Sequence, residues 1–422
     1  MKKILIISFF FNQAEEIGSI RLRGLAKYLP KFGWQPTILT INSSSDTHFR
    51  TVETGYLDLK ANWKAKIGLN PENTVENQLK VVKGKKSLDF LLGVWEEIFA
   101  YPDAQKNWYR PAIEAGSELL EHEHFDAMLS SSSPVTCHLI ASELKKRYNV
   151  PWTADLRDLW TQNPYVNHTL LRKILEKRLE LKTLKNADAL TTTTEYCKND
   201  LKQLHKKDNT YAILNGFDPV HESQNTPLTE KFNLVYTGRL YYGKRDPELL
   251  FQALTELINE EKINAENINV DFYGPSEPWL LNSVKKHHLE NVVKICGVLP
   301  RNKVLKKQRE SQVLLLLTWK NSKEKGVIPG KIFEYLAAKR PILSIGNSDG
   351  LVRGLIESTN TGVVPSSVEE IKSSILMFYN EFTCSGEVKY RGIPHEIDKY
   401  SQVKMAEKFS HVLNQAVNEK SS

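Results

Sequence analysis

The sequence predicts an α/β chain of two doubly wound domains that face a cleft, with a last helix that crosses back to the first domain. Three observations carry this. Short apolar runs alternate with helical patterns from residue 4 onward, and the alternation starts afresh near residue 234. Asn215-Gly216-Phe217-Asp218-Pro219 separates the two sets, and Asn-Gly and Asp-Pro break both helix and strand. The 422 residues suit two large domains at roughly 150 residues each, with room to spare. The expected division is residues 1–214 with an insertion at 43–110, then 215–399, then a returning helix at 400–422.

The first domain opens with Ile4–Phe10, a continuous apolar run of the kind a parallel strand covered on both faces requires. Lys2-Lys3 before it could mimic a signal peptide, but the run is short, no small-residue cleavage site follows and Glu15-Glu16 come soon after. Gly18-Ser19 precede a helical pattern at Leu22, Leu25, Ala26 and Leu29, and Gly33 suits a stop. Thr37–Ile41 completes a βαβ opening. Residues 43–110 are polar and basic and read as an insertion with its own helices. Ala127–Ser130 is the next strand, Ser131–Pro134 a loop and Thr136–Tyr148 a helix. Pro151–Asp155, Ala189–Thr193 and Tyr211–Leu214 read as strands, and Leu170–Lys185 as a highly charged helix with Leu at helical spacing.

In the second domain Leu234–Thr237, Asn269–Tyr273, Val292–Cys296, Val313–Thr318 and Pro341–Ser344 are the strands. Glu248–Ile258 and Lys331–Ala338 are helices. Met405, Phe409, Val412, Leu413 and Val417 give the amphipathic stripe of the last helix, Val403–Val417.

Composition excludes several classes. With 25% charged and 41% hydrophobic residues, 21 Gly and 18 Pro, the chain is neither an acidic disordered protein nor collagen-like. Four cysteines, Cys137, Cys197, Cys296 and Cys384, are far apart. They offer no disulfide framework or zinc cluster, and a reducing compartment is the default. No run reaches the roughly 18 apolar residues that span a membrane. A net charge of +7 suits phosphate-rich ligands or anionic membranes, but no nucleic-acid module is present.

Ligands of open α/β sheets sit beyond the carboxyl ends of the strands, so the residues just after strands matter most. Gly18 lets a helix N-terminus approach a phosphate; the alternative is an ordinary βα turn. Gly238-Arg239, with Lys244-Arg245 close behind, form either a diphosphate clamp or a solvated basic loop. Gly326-Val327-Ile328-Pro329-Gly330-Lys331 is a turn at a helix N-terminus suited to an anion. Glu334 then suits a pair of ribose hydroxyls, or merely complements the helix dipole. Asp155-Leu156-Arg157-Asp158-Leu159-Trp160 reads as a site wall or as an internal Arg–Asp pair that fixes its loop. There is no G-x-S-x-G elbow and no P-loop. His122, His124, His287 and His288 lack metal-clamp spacing and read as surface residues, so no metal site is expected.

Taken together these positions resemble the GT-B glycosyltransferases, specifically glycosyltransferase family 4, over nearly the whole chain. In the first half the resemblance rests on Asp155–Trp160 as Asp-Leu-Arg-Asp-x-Trp, on Ser132-Ser133-Pro134, and on Tyr101-Pro102-Asp103 with Trp108. In the second half it rests on Asn215–Asp218, Tyr236-Thr237-Gly238-Arg239, Tyr273-Gly274, Gly297-Val298-Leu299-Pro300 and Gly330–Ala337.

The resemblance implies two Rossmann-like domains, acceptor side first and donor side second. It also implies a retaining, metal-independent, hexosyltransferase-type enzyme that uses a nucleotide-diphosphate sugar and no cofactor. Arg239 and Lys244 would neutralise the diphosphate and Glu334 would bind the ribose. The backbone at Val298-Leu299 would contact the base, and that at Val327-Ile328-Pro329, leading into Gly330 and Lys331, the donor sugar. Gly18 would approach donor phosphate and sugar. Two departures stand out: Gly326 occupies the place of the family's first Glu, with Glu324 nearby, and the family's usual His in the first domain is missing. Arg157, Asp158 and Asp155 occupy that region and are the candidate catalytic residues.

The expected setting is cell-surface polysaccharide or glycan biosynthesis in the cytoplasm, with a glycan or lipid-linked acceptor. Lys80, Lys83, Lys85 and Lys86, followed by Leu88–Trp95, suit either a helix on an anionic membrane surface or a core-packed face with solvated lysines. A nucleotide-sugar epimerase of the same architecture and a non-catalytic two-lobed binding protein are the competing functions.

Overall fold

The computed structural model describes residues 1–13, 17–41, 48–57, 101–166, 168–220, 226–241, 243–319, 326–346 and 350–421. The basic and apolar stretch at 80–95 and Glu324 lie outside the described residues. The chain divides into two compact units, Met1–Leu214 with Met405–Ser422, and Asn215–Lys404.

The first unit is built on a seven-stranded sheet of β1 (Lys2–Ile7), β2 (Trp34–Ile41), β3 (Thr51–Thr54), β4 (Ala127–Ser132), β5 (Trp152–Leu156), β6 (Ala189–Thr192) and β7 (Thr210–Ala212). Their order is β3-β2-β1-β4-β5-β6-β7 and every pairing is parallel. Ile4–Ile7 of the central strand are buried, as an apolar run with both faces covered must be. That strand ends at Ile7 rather than Phe10. Beyond it the chain turns, with Gln13 N–H donating to the Phe10 carbonyl at 3.0 Å. The apolar residues continue because Phe9 packs edge-on against Tyr56 and Trp108. The span expected to be an insertion is partly sheet: β3 pairs with β2. Trp108 is buried, its Nε1–H 2.7 Å from Thr54 Oγ1.

Asp103 accepts from Thr136 N–H and Oγ1–H at 2.8 Å each, closing the N-terminus of the helix Thr136–Tyr148. The helix Gln402–Ser421 supplies Met405, Phe409 and Leu413 to the buried residues. It is also tied to this unit by Lys2 Nζ donating to Asn414 Oδ1 at 2.8 Å.

The second unit holds a six-stranded sheet of β8 (Phe232–Thr237), β9 (Ile268–Tyr273), β10 (Val293–Gly297), β11 (Val313–Leu317), β12 (Ile342–Ile345) and β13 (Gly362–Val363). The order is β10-β9-β8-β11-β12-β13, again parallel throughout. Its core gathers Leu234, Tyr236, Phe251, Phe272, Leu315 and Leu343 from the sheet and its covering helices. Two segments lie side by side at its boundary. Phe217 N–H donates to Tyr400 O at 3.0 Å, and Gln402 N–H to Phe217 O at 2.7 Å. A Cβ on Gly216 would stand 2.7 Å from the backbone of Ser401 and Gln402, so only glycine fits there. Among the described residues no helix is long and apolar enough to cross a membrane.

Candidate functional site

In the second sheet the strand order reverses between β8 and β11. The carboxyl ends of those two strands therefore flank the crevice where an open α/β sheet takes its ligand. The strand ends there close on glycine. Gly238 adopts φ 111°, and its N–H donates to Tyr273 O at 2.7 Å while Gly274 N–H donates to Gly297 O at 2.9 Å. A Cβ on Gly274 would lie 2.3 Å from the Gly238 carbonyl oxygen, so the two loops pack backbone on backbone.

Lys331, first residue of the helix Lys331–Ala338, points into this corner. Its Nζ is buried, with no hydrogen-bond partner among the described residues. It stands 3.8 Å from the centre of the Tyr236 ring and 3.1 Å from where a Gly238 Cβ would be. Burial, reinforced by the Arg245 charge and opposed by Glu334, pushes the amine well below the ordinary lysine range. A buried cation without an acceptor is costly, and an anion bound at this corner would supply one.

Glu334 lies one turn further on. Its carboxylate accepts from Arg301 Nη1 at 2.7 Å and from Gln308 Nε2 at 3.1 Å. Gln308 is buried and also donates to Thr237 Oγ1 at 3.0 Å. Tyr335 joins the same strand ends, accepting from Thr237 N–H at 3.3 Å and donating to Leu315 O at 3.1 Å. The sequence singles out neither Arg301 nor Gln308, and Tyr335 only as part of the Gly330–Ala337 stretch. Arg301 directly follows the Gly297–Pro300 stretch, which was the available signal.

The remaining expected residues of this unit lie around the same strand ends. Arg239 is exposed immediately after β8. Lys244 is exposed, with its Nζ 4.6 Å from the centre of the Trp319 ring beyond β11. Val298 is an exposed apolar residue just past β10, and Leu299 beside it is half-buried. Val327 and Ile328 are half-buried, Pro329 is buried and Gly330 is exposed at the helix start.

In the first unit the order reverses between β1 and β4. Asp155, at the end of β5, is buried and accepts four hydrogen bonds. Arg21 Nε at 3.0 Å and Ser131 Oγ at 2.8 Å reach Oδ2. Arg21 Nη2 at 2.9 Å and Thr191 Oγ1 at 2.8 Å reach Oδ1. Burial opposes the charged form, but the Arg21 charge and these bonds hold the carboxyl below its ordinary range. Asp155, expected among the candidate catalytic residues, has both its oxygens occupied and closed off from solvent. Its neighbours differ. Asp158 is exposed and lies 3.4 Å from Arg157 Nε. The Arg157 guanidinium lies over Gly18, its two terminal nitrogens 3.1 Å from where a Cβ there would stand. Gly18 and Arg157 thus come together, and the space a side chain at 18 would need is filled by arginine.

Behind Asp155, His138 Nδ1 and Trp152 Nε1 each lie 2.8 Å from Ser130 Oγ. Burial holds the imidazole down to about 4, hence neutral near pH 7. His287, expected at the surface, is half-buried and lies 2.9 Å from Glu248 Oε1.

Residues 231–381 match the model of the family described as Glycosyl transferases group 1. No curated protein sequence matches the chain. Solved structures similar to it include sucrose-phosphate synthase from Thermosynechococcus elongatus, 14% identical with a TM-score of 0.64 over 98% of this chain and 99% of that one. Anabaena HepE in complex with UDP and glucose is 12% identical with a TM-score of 0.62 over 98% and 100%. The UDP-GlcNAc 2-epimerase from Methanocaldococcus jannaschii is 11% identical with a TM-score of 0.50 over 98% and 100%. The chain accordingly has the GT-B fold of two Rossmann-like, parallel-sheet domains, and its second unit carries a domain of the glycosyl transferases group 1.

Proposed function

We propose that the chain is a retaining glycosyltransferase of glycosyltransferase family 4, moving a sugar from a nucleotide-diphosphate sugar to a glycan or lipid-linked acceptor. The observation that carries this reading is the buried Lys331 amine at the β8–β11 strand ends, without a hydrogen-bond partner among the described residues, with Arg239 and Lys244 following β8. A diphosphate is the ligand class whose charge such a corner complements. The group 1 match over the same residues supports it, and the UDP held by Anabaena HepE makes uridine diphosphate the first nucleotide to test.

In this reading the second unit binds the donor. Arg239, Lys244 and Lys331 meet the diphosphate, and the helix N-terminus at Gly330 adds its N–H groups. Glu334 exchanges Arg301 or Gln308 for ribose hydroxyls. Val298-Leu299 border the base, and Val327-Ile328-Pro329 the sugar. The first unit takes the acceptor, with Arg157 and Asp158 as the groups that reach it and Asp155 as a positioning residue.

The C1–phosphate oxygen bond breaks as the acceptor oxygen bonds to C1 on the same face. The departing diphosphate takes the acceptor proton, and the cations stabilise the charge that develops on it. This scheme asks for no metal and no protein nucleophile. The setting that fits is polysaccharide or glycan synthesis in the cytoplasm. Incubation with a panel of nucleotide sugars and simple acceptors, read by mass spectrometry and anomeric NMR, tests it. An α-linked product from an α-linked donor supports it; an inverted product or none across the panel counts against it. Conversion of the donor alone into its epimer would favour the epimerase reading, which the Methanocaldococcus fold likeness supports.

A further inference from the structure

The helix Leu170–Leu184 of the first unit is turned inside out. Its buried positions include Arg172, Glu176 and Glu180, four residues apart along one face. Each has partners. Arg172 Nε donates to Glu176 Oε1 at 2.7 Å and its Nη2 to Pro102 O at 2.9 Å. Glu176 Oε2 accepts from Trp160 Nε1 at 2.7 Å. Glu180 accepts from the Thr161 N–H and hydroxyl and lies 3.2 Å from His205 Nε2. Leu179 and Leu184 stay with the core, but the other apolar residues face the other way: Leu170 is 75% and Leu171 69% exposed, and Ile174, Leu175 and Leu181 are exposed too. Their spacing forms one stripe along the helix. Tyr165 and Val166, just before it, are also exposed apolar residues.

A contiguous apolar stripe left in water marks an interaction surface. The charges around it select the partner. Lys173, Lys177, Arg178, Lys182 and Lys185 are exposed, whereas both glutamates of the helix are inward. The outer face of this helix therefore offers apolar side chains and positive charge, with no carboxylate of its own. We infer that this face docks on an anionic lipid surface, the leucines and Ile174 entering the headgroup boundary and the lysines meeting lipid phosphates. That is the composition of a helix lying in a membrane interface. A protein partner or second copy of the chain would need an acidic patch to oppose those five cations. The inference does not depend on the sugar-transfer reading.

The test is co-sedimentation of the full chain with phosphatidylcholine vesicles, with and without phosphatidylglycerol, at low and high salt. The chain should bind the mixed vesicles, bind pure phosphatidylcholine weakly, and be released by salt. Each surface cation contributes about fivefold, so Lys173→Gln/Lys177→Gln/Lys182→Gln should weaken binding roughly a hundredfold. Leu170→Gln/Leu171→Gln/Ile174→Gln should abolish the part that salt does not release. These side chains are exposed, so circular dichroism should show both variants folded. Three results would overturn the inference. One is no binding to the mixed vesicles at low salt. Another is binding that both variants retain, which would put the contact elsewhere, such as residues 58–100. The third is a dimer in sedimentation velocity that the leucine variant dissolves while vesicles go unbound.

Discussion

Arg21 meets Asp155 edge to edge, with Nη2 2.9 Å from Oδ1 and Nε 3.0 Å from Oδ2, both side chains buried. The same guanidinium lies 4.9 Å from the centre of the Phe409 ring and 3.8 Å from Met405 Sδ. One ion pair thus joins the first helix, the end of β5 and the C-terminal helix. Removing one member of a buried pair leaves the other uncompensated, at a cost of about 3–5 kcal/mol. Asp155→Ala should therefore lower the melting temperature by roughly 10 °C. The paired change Arg21→Met with Asp155→Leu should recover much of the loss. Thermal unfolding by circular dichroism measures both.

Acid should unfold the first unit by two routes. The Asp155 carboxyl sits below its ordinary range, so its contribution is present above the unfolded carboxyl pKa and lost as pH falls through the folded one. His138 is held down to about 4 against an ordinary 6.5. The unfolded chain takes up that proton first, and stability declines between those values as pH falls. Urea midpoints measured from pH 7 to 4 should fall steadily, and His138→Phe should remove the share lost between pH 6.5 and 5.

Lys331 should trade stability against ligand. Replacing a buried amine that has no hydrogen-bond partner among the described residues with an apolar side chain of similar length removes a desolvation cost. Lys331→Met should raise the apo melting temperature while weakening binding of a nucleoside diphosphate about tenfold or more. Because its pKa is depressed in the free protein, an arriving diphosphate should raise it and draw in a proton. Titration calorimetry in buffers of differing ionisation enthalpy reads that uptake, which Lys331→Met should remove.

Arg301 and Glu334 make a separable pair. If Glu334 is released to ribose hydroxyls on binding, Glu334→Gln should raise the donor KM and leave kcat little changed. Arg301→Ala frees the carboxylate beforehand and should affect KM less than Glu334→Gln does. Initial-rate kinetics with varied donor decide this.

The alternating strands and helices were legible because buried parallel strands require unbroken apolar runs. Thr136–Tyr148 and Lys331–Ala338 have the bounds that their spacing predicts. Edge strand β3, Thr-Val-Glu-Thr, was not legible, since an edge pairs on one side only and needs no apolar run. Leu170–Leu184 is legible as a charged helix but not in its orientation. Leucine at helical spacing does not say which face is inward, and here the inward face holds Arg172 paired with Glu176, and Glu180 bonded to Thr161 and His205. Asp155 was visible as a charge at a strand end. Its partner Arg21 lies 134 positions away, and such pairing is written in the topology rather than in any local pattern. The same holds for the convergence of Arg301, Gln308 and Glu334.

The central claim, a nucleoside diphosphate held at the β8–β11 strand ends of the second unit, is tested most directly by titrating UDP into the wild-type chain and into Arg239→Ala, Lys244→Ala and Lys331→Met. Loss of one charged hydrogen bond costs about 1.5–3 kcal/mol, or roughly ten- to a hundredfold in affinity. The account predicts saturable wild-type binding that each variant weakens by about that factor while remaining folded. Wild-type affinity retained by all three variants would contradict it.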